Sequence, residues 1–372
     1  MPTSFPCDAL LRTGVYACFA SLALALVDAA PARADRVRAV DALVAPLVGV
    51  EAPGVAVLVA RDGAILHAAG YGVADLDDGT PVTIDTLFEL ASVSKQMTAL
   101  AAALQVEDGT LDPSAPVADV LVALQDLRQG ARRPILLEDL VRHTGGLADY
   151  LDEEQGLDFD EETTNAEVLA WLAETQPDHE PGTRFAYSNS GYLVLGALVA
   201  AADGAESLDA VLQARVFGPL GMRASASGAP ADPRRRARGY AGTHGAFEPS
   251  EWDTAVEGDG SIWTSLSDLG RYEAALVDGT LLDDESIAIL FEDGRLDDGT
   301  PIEDEDGAGY GWGWSLYEDG EGRRVAGHGG SWYGTATFYR RSLDTGLAVI
   351  VLANGEDLDA ETLAEAIAGV LE

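Results

Sequence analysis

The chain has 372 residues, enough for one large domain or two of ordinary size, and its 47% hydrophobic content is sufficient for a substantial core. Its 63 acidic residues outnumber its 23 basic ones, and a net charge of −40 argues against nucleic acids and anionic membrane surfaces as partners. This acidity, with almost no lysine, predicts a protein adapted to concentrated salt; ordinary acidic solubility is the alternative.

The first 34 residues are predicted to be a cleavable export signal. Arg12 precedes a largely apolar run, Val15–Val27, and Ala32–Ala34 fits a small-x-small cleavage site. The run is too short for a permanent bilayer span. We therefore expect an exported protein (periplasmic, cell-surface or extracellular) with no stable membrane span after cleavage. Cys7 and Cys18 are the only cysteines, so cleavage after Ala34 would leave a chain without a thiol for catalysis or zinc binding.

The predicted elements begin with a helix and a hairpin. Val40, Val44 and Leu47 recur at helical spacing. Residues 54–60 (GVAVLVA) are predicted to form a buried strand, which turns at Arg61–Gly63 into a second strand. From residue 92 onward the pattern becomes helical.

The middle of the chain, roughly residues 100–300, is predicted to consist of helices and loops. Thr164 and Glu167 form a capping-box pattern, and residues 192–202 form an apolar helix that ends at Gly204. Strands return over residues 334–340 and 346–353, and a C-terminal helix follows.

This order of elements predicts an α+β fold. An antiparallel sheet is formed from both chain ends, about residues 35–100 and 300–372, and the terminal helices flank it. A largely helical region, about residues 101–299, is inserted between them. We treat residues 35–372 as one domain, with a cleft where the two parts meet.

The only lysine, Lys95, stands three residues after Ser92, and the other 22 basic residues are arginine. A guanidinium stays protonated in proteins, whereas a desolvated ammonium can lose its proton. A single lysine, in a chain whose other basic residues are all arginine, therefore indicates a role for Lys95 in proton transfer. Residues at i and i+3 share a helix face, so the amine can approach the hydroxyl. The start of that helix also offers N–H groups to a developing oxyanion.

Two later motifs offer partners for this pair. Tyr187–Asn189 precedes the apolar helix, and a phenol near an ammonium can relay protons. Asn189 is expected either to contact the substrate or simply to cap its helix. His328–Ser331 precedes a late strand, where Gly329 and Gly330 let the backbone come close to a ligand and an edge strand can pair with an extended substrate.

Other enzyme classes are disfavoured by the sequence. It contains no Gly-x-Ser-x-Gly and no His-Glu-x-x-His, and its only lysine is not part of a phosphate-binding loop. The acidic runs do not have the spacing of calcium ligands found in an EF-hand loop. We predict no metal site and no cofactor, and a small molecule or a peptide as the substrate.

Several ordered motifs resemble those of the serine β-lactamase-like family, which holds class C β-lactamases, serine DD-peptidases, D-aminopeptidases and related carboxylesterases. They are Phe88–Gln96 (FELASVSKQ), His143–Leu147 (HTGGL), Tyr187–Asn189 (YSN) and Gly327–Ser331 (GHGGS). The resemblance covers essentially residues 35–372 and implies a β-lactamase/transpeptidase-like fold. Within these motifs, His143 is predicted to be structural.

The resemblance implies a role for each site residue. Ser92 is the acylated nucleophile, Lys95 and Tyr187 together form the general base, and Tyr187 protonates the leaving group. Backbone N–H groups of Ser92 and Ser331 form the oxyanion hole. Asn189 hydrogen-bonds the substrate or Lys95.

His328 stands where β-lactamases of this family usually carry the lysine of a Lys-Thr-Gly motif. Histidine is more usual in the peptidase and esterase branches. We therefore expect a serine hydrolase that cleaves an ester or amide, with a D-amino-acid peptide-like or small ester substrate. A true β-lactamase is the alternative enzyme, and a non-catalytic penicillin-recognising or cell-wall-binding protein is the alternative of another class. The sequence leaves the acyl group, the leaving group and the oligomeric state open.

Overall fold

The computed structural model describes residues 36, 38–48, 52–121, 133–152, 154–243, 245–304 and 306–372. The predicted export signal lies outside these residues. Across the part of the chain that is described, no helix has the length and apolar character needed to cross a bilayer.

A seven-stranded antiparallel sheet joins the two ends of the chain. The early strand Val55–Arg61 pairs with the late strand Leu347–Ala353 over its whole length. The spatial order of the strands is Gly309–Tyr310, Ser315–Glu318, Arg324–Trp332, Thr335–Ser342, Leu347–Ala353, Val55–Arg61 and Ala64–Tyr71. The predicted α+β fold, with a sheet built from both chain ends, is confirmed.

The hairpin between the two early strands turns on Asp62 and Gly63. Both have positive φ, 50° and 74° respectively. Two consecutive residues of this kind form a type I′ turn, whose twist matches that of the paired strands, and Asp-Gly is among the sequences that favour it. The predicted hairpin is therefore present, with its turn at the predicted position.

The sheet separates two hydrophobic cores because alternate residues of its strands face opposite sides. Val57 and Val59 pack with the C-terminal helix Ala360–Leu371 and a helix over residues 38–44. Leu58 lies in the larger core on the other face, among the helices of the middle region. The other α-helices among the described residues are Lys95–Glu107, Val117–Val120, Leu137–Val141, Asn165–Glu174, Asn189–Asp203, Leu208–Leu212, Gly218–Leu220, Leu266–Asp278 and Asp284–Leu290.

The middle region contains more than helices and loops. Phe88–Glu89, Ile262–Thr264 and Ala226–Ser227 form a small three-stranded sheet beside the start of the helix Lys95–Glu107. Further short strands in the chain are Val73–Asp75, Thr80–Pro81, Tyr240–Ala241 and Glu248–Pro249. The prediction of helix and loop alone was wrong here because strands of two or three residues are too short to show an alternating pattern.

Candidate active site

Ser92 lies on a short 3-10 turn, Ala91–Ser94, that runs directly into the helix Lys95–Glu107. The α-helix thus begins at Lys95, slightly later than the helical pattern from residue 92 suggests. Ala91 has a φ of 46°, in the left-handed region that is costly for residues other than glycine. Such strain persists where surrounding contacts hold it, commonly at functional sites.

The strand Arg324–Trp332 packs directly against this turn. A Cβ on Gly330 would come within 2.3 Å of the Leu90 carbonyl oxygen and 3.2 Å of the Ala91 Cβ, so only glycine fits without a shift. The Thr337 hydroxyl donates to the same Leu90 oxygen at 2.8 Å. Gly330 therefore allows close contact between the strand and the serine turn, whereas the sequence had suggested close approach to a ligand.

The second half of this strand has a free side. Its pairing with Ser315–Glu318 ends at Gly327, and no other described strand pairs with residues 328–332 on that side. Gly329 and Ser331 are exposed here. An unpaired strand edge beside the serine turn can supply an N–H group to an oxyanion and can pair with an extended substrate.

Lys95 is completely buried and has three hydrogen-bond partners. Its Nζ lies 3.0 Å from Ser92 Oγ, 3.0 Å from Asn189 Oδ1 and 2.8 Å from the carbonyl oxygen of Asp259. The last two atoms only accept hydrogen bonds, whereas a hydroxyl can donate or accept. A neutral Lys95 can therefore donate to these two oxygens and receive the Ser92 proton on its lone pair. A charged Lys95 finds an acceptor for each of its three protons.

The side-chain amide of Asn189 is oriented by Asp149. Asn189 Nδ2 donates to Asp149 Oδ1 at 3.4 Å, which leaves Asn189 Oδ1 for Lys95. The helix Asn189–Asp203 is capped by Ser188, whose hydroxyl accepts a backbone N–H of the first turn. The interpretation of Asn189 as a helix cap is therefore wrong.

Tyr187 borders the same cleft as Ser92 and is 43% exposed. The centre of its ring lies 4.9 Å from Lys95 Nζ. The His143 ring lies against it, with centroids 4.4 Å apart and an interplanar angle of 31°. An accessible phenol beside the amine is well placed to exchange protons with a substrate in the cleft.

His328 is buried beside Tyr187. Its Nε2 lies 2.9 Å from the Tyr310 hydroxyl oxygen and its Nδ1 2.7 Å from the Gly329 carbonyl oxygen. A carbonyl only accepts, so the proton is assigned to Nδ1, and Nε2 accepts from Tyr310. Burial, and then the charge of Lys95, lower the pKa of His328 to about 4. At neutral pH this position therefore carries no positive charge.

His143 supports the segment that carries Tyr187. Its Nδ1 accepts the backbone N–H of Ser188 at 3.0 Å. Its ring also packs against Tyr192 and Tyr310, with centroids 5.0 Å and 4.7 Å away. Burial, and then the charge of Lys95, hold the pKa of His143 well below its usual value. The predicted structural role of His143 is consistent with these contacts.

A cleft of about 150 Å³ opens beside Ser92. Two carboxyl groups lie in it. Burial raises the pKa of Glu89 to about 8, against the opposing charge of Arg236. Burial also raises the pKa of Asp259, whose Oδ2 accepts the Tyr150 hydroxyl at 2.8 Å. The residues that line the cleft are Glu89, Ala91, Ser92, Tyr150, Leu151, Phe159, Tyr187, Asn189, Thr254, Asp259, Gly260, Ser261, Ser331 and Trp332.

Sequence reasoning missed the groups that support this site from elsewhere in the chain, namely Asp149, Tyr150, Asp259 and Tyr310. Asp259 lies 164 residues from Lys95, and no spacing rule connects them. Asp149 and Tyr150 follow the His143–Leu147 stretch closely, which is the only sequence signal near them. Among the residues that the structure covers, no three histidine, cysteine or carboxylate side chains are grouped so as to hold a metal ion.

Comparison with known protein families gives one consistent match. The Beta-lactamase family model matches residues 40–372. Penicillin-binding protein 4* of Bacillus subtilis (strain 168) is 30% identical over 319 residues, which cover 81% of this chain and 68% of that protein. A D-aminopeptidase of Brucella anthropi is 32% identical over 308 residues, covering 82% of this chain and 56% of the relative. The chain thus spans little more than half the length of that D-aminopeptidase.

Solved structures give the same fold. EstCE1, a hydrolase with promiscuous acyltransferase activity, superposes with a TM-score of 0.77 at 23% sequence identity. The superposition covers 92% of this chain and 100% of that one. At this level of identity the similarity establishes the fold.

Proposed function

This chain belongs to the Beta-lactamase family of serine hydrolases, and we propose that it cleaves an ester or amide through an acyl-enzyme on Ser92. Lys95 and Tyr187 together act as the general base. The substrate is a small ester or a D-amino-acid peptide-like amide. The similarity to a D-aminopeptidase supports this substrate class.

The observation that carries the proposal is the set of three bonds to Lys95 Nζ. Asn189 Oδ1 and the Asp259 carbonyl fix the amine from two directions, and the third direction leads to Ser92 Oγ at 3.0 Å. This distance lies within the range needed for direct proton transfer between a nucleophile and its base. A lysine that served only as a surface cation would have no reason to be completely buried.

Acylation begins when Ser92 Oγ attacks the substrate carbonyl carbon and its proton passes to Lys95 Nζ. The carbonyl oxygen becomes an oxyanion, which the backbone N–H groups of Ser92 and Ser331 stabilise. When the tetrahedral intermediate collapses, the bond to the leaving group breaks. Tyr187 protonates the departing oxygen or nitrogen and regains a proton from Lys95.

Deacylation follows the same path in reverse with water. A water molecule gives one proton to the Tyr187–Lys95 pair and attacks the acyl carbon. The ester bond to Ser92 then breaks, and Ser92 Oγ recovers the proton. The acid product leaves and the starting protonation state is restored.

His328 favours peptidase or esterase activity over β-lactamase activity. A β-lactam has a carboxylate, which a cation binds by a strong charge-assisted hydrogen bond. The buried imidazole, with its pKa lowered to about 4, offers no such charge at neutral pH. Turnover of β-lactams is the second candidate activity. We also propose that the protein is exported and acts in concentrated salt.

The decisive experiment labels the purified protein with a fluorophosphonate and measures its intact mass. We expect a single adduct that is absent in Ser92→Ala and present in Ser94→Ala, because Ser94 is buried and its hydroxyl accepts the N–H of Ile262. An adduct that persists in Ser92→Ala would refute the assignment. A stable penicillin adduct with no turnover of esters or amides would instead support the non-catalytic penicillin-recognising alternative.

A further inference from the structure

A row of aromatic rings forms one wall of the cleft beside Ser92. Phe159 contacts both other rings edge-on, with ring centroids 5.4 Å from that of Tyr150 and 6.4 Å from that of Trp332. All three residues line the cleft. An apolar wall next to a nucleophile can bind the apolar part of a substrate by removing it from water.

This wall is held in place before any substrate binds. The Tyr150 hydroxyl is fixed by its bond to Asp259 Oδ2, and Trp332 Nε1 donates to the Trp252 carbonyl oxygen at 2.9 Å. The Phe159 ring stacks on that of Trp252 with an interplanar angle of 11°. Rings anchored in this way lose little further freedom on binding, so contact with them favours affinity.

The size of the cleft matches a single ring. Its volume is about 150 Å³, and an apolar protein cavity of roughly 150 Å³ holds one benzene ring. The cleft therefore has room for a single six-membered ring.

The cleft offers no positive charge to that group. No lysine, arginine or histidine is among the described residues that line it. Its two carboxyl groups, Glu89 and Asp259, have pKa values that burial raises. Lys95 lies deeper and is already bonded to three oxygens. A substrate carboxylate would lose its hydration here without gaining a cationic partner, which is unfavourable.

The less exposed side of the cleft suits the acyl group of the substrate. Tyr187, which protonates the leaving group, is 43% exposed, so the leaving group departs toward solvent. Phe159 and Trp332 line the same cleft, are half-buried and are therefore less exposed than Tyr187. The group that stays attached to Ser92 after the first step is therefore assigned to the side of the aromatic wall.

We propose that Phe159 and Trp332 form an acyl-binding subsite that selects acyl groups carrying one uncharged, ring-sized apolar substituent and rejects acyl groups that carry a carboxylate. This inference rests on the proposed acyl-enzyme function and specifies its substrate class.

The test compares four p-nitrophenyl esters with the same leaving group: acetate, phenylacetate, 1-naphthylacetate and hydrogen succinate. We expect kcat/KM for phenylacetate to exceed that for acetate by roughly 10- to 100-fold, the effect of burying one such ring. The naphthylacetate and the anionic succinate should both fall below phenylacetate. In Phe159→Ala, the ratio of phenylacetate to acetate should drop by about 10-fold or more.

The matched control is Phe247→Ala, a half-buried phenylalanine outside this cleft, which should keep the wild-type ratio. Because the readout is a ratio between two esters, a general loss of folded protein does not change it. If Phe159→Ala does not fold, Phe159→Leu should give an intermediate ratio. An unchanged ratio in the folded variant, or a preference for the succinate, would overturn the subsite. Absence of any Ser92-dependent ester or amide turnover would instead refute the proposed function, and the subsite with it.

Discussion

Lys95 Nζ and Ser92 Oγ are 3.0 Å apart, although the two residues belong to different kinds of helix. The 3-10 turn that carries Ser92 is tighter than the α-helix that follows. The lysine side chain reaches back from the start of the α-helix to the hydroxyl. This pair is the part of the site on which most of the expected effects depend.

Lys95→Arg should lower kcat by roughly 10³-fold or more. Arginine keeps the positive charge but stays protonated, so it cannot accept the Ser92 proton. The guanidinium is also larger than the fully enclosed space around Lys95 Nζ, so thermal unfolding must be measured on the same samples. Near-normal kcat in a folded Lys95→Arg variant would mean that Lys95 acts only as a cation.

Tyr187→Phe should lower kcat by roughly 10²- to 10⁴-fold with little change in melting temperature, because the hydroxyl belongs to a partly exposed ring. Tyr333→Phe is the matched control. Tyr333 is 49% exposed and is absent from the lining of the Ser92 cleft, so this variant should keep wild-type kcat. Equal rates for the wild type and Tyr187→Phe, measured with a substrate whose chemical step limits turnover, would assign Tyr187 a structural role.

Nitrocefin should be hydrolysed with a kcat/KM at least about 10- to 100-fold below that of the best ester, since a charge-assisted bond to the β-lactam carboxylate is missing. The pKa of His328 is lowered to about 4 by burial and the charge of Lys95. Nitrocefin turnover should therefore gain nothing from histidine protonation when pH is lowered from 7 to 5. Turnover of nitrocefin at or above the ester rate would make β-lactamase the better assignment.

Glu89 should make the protein less stable as pH rises toward 8. Burial raises its pKa from an ordinary 4.5 to about 8, so the folded state keeps a proton that the unfolded state has lost. The stabilising contribution is complete below 4.5 and is lost as pH rises to about 8. His328 acts in the opposite direction, because its lowered pKa gives a stability that is lost as pH falls from 6.5 toward 4.

Between pH 7 and 8, the pH dependence of the unfolding free energy therefore reports on Glu89 and not on His328. There, the difference in unfolding free energy between Glu89→Gln and the wild type should grow in favour of the variant by roughly 1 kcal/mol per pH unit. Urea titrations at several pH values measure it. A constant difference across this window would show that Glu89 has the same charge in the folded and unfolded states.

The sequence predicted the central sheet well because Val55–Arg61, up to its final arginine, and Leu347–Ala353 are continuous apolar runs bounded by turn residues. It also singled out Ser92 and Lys95, since a lone lysine is visible in the composition. It could not find Asp259, whose contribution to Lys95 is a backbone carbonyl that any residue possesses. The Phe159 wall was missed for a similar reason, because its ring partners lie 9, 93 and 173 residues away along the chain.

The last prediction concerns salt. Even if every one of the 23 basic residues paired with an acid, 63 − 23 = 40 carboxylates would lack an opposite charge. Their mutual repulsion opposes the compact state, and the Debye length falls from about 10 Å at 0.1 M to about 3 Å at 1 M salt. Screening also weakens ion pairs such as Arg215 with Asp203, but exposed pairs contribute little to stability.

The melting temperature should therefore rise between 0.1 M and 3 M sodium chloride, and activity should fall when salt is removed. Replacing the exposed Glu161 and Glu162 by glutamine should reduce this dependence. A melting temperature that stays flat across the range would leave ordinary acidic solubility as the explanation of the charge.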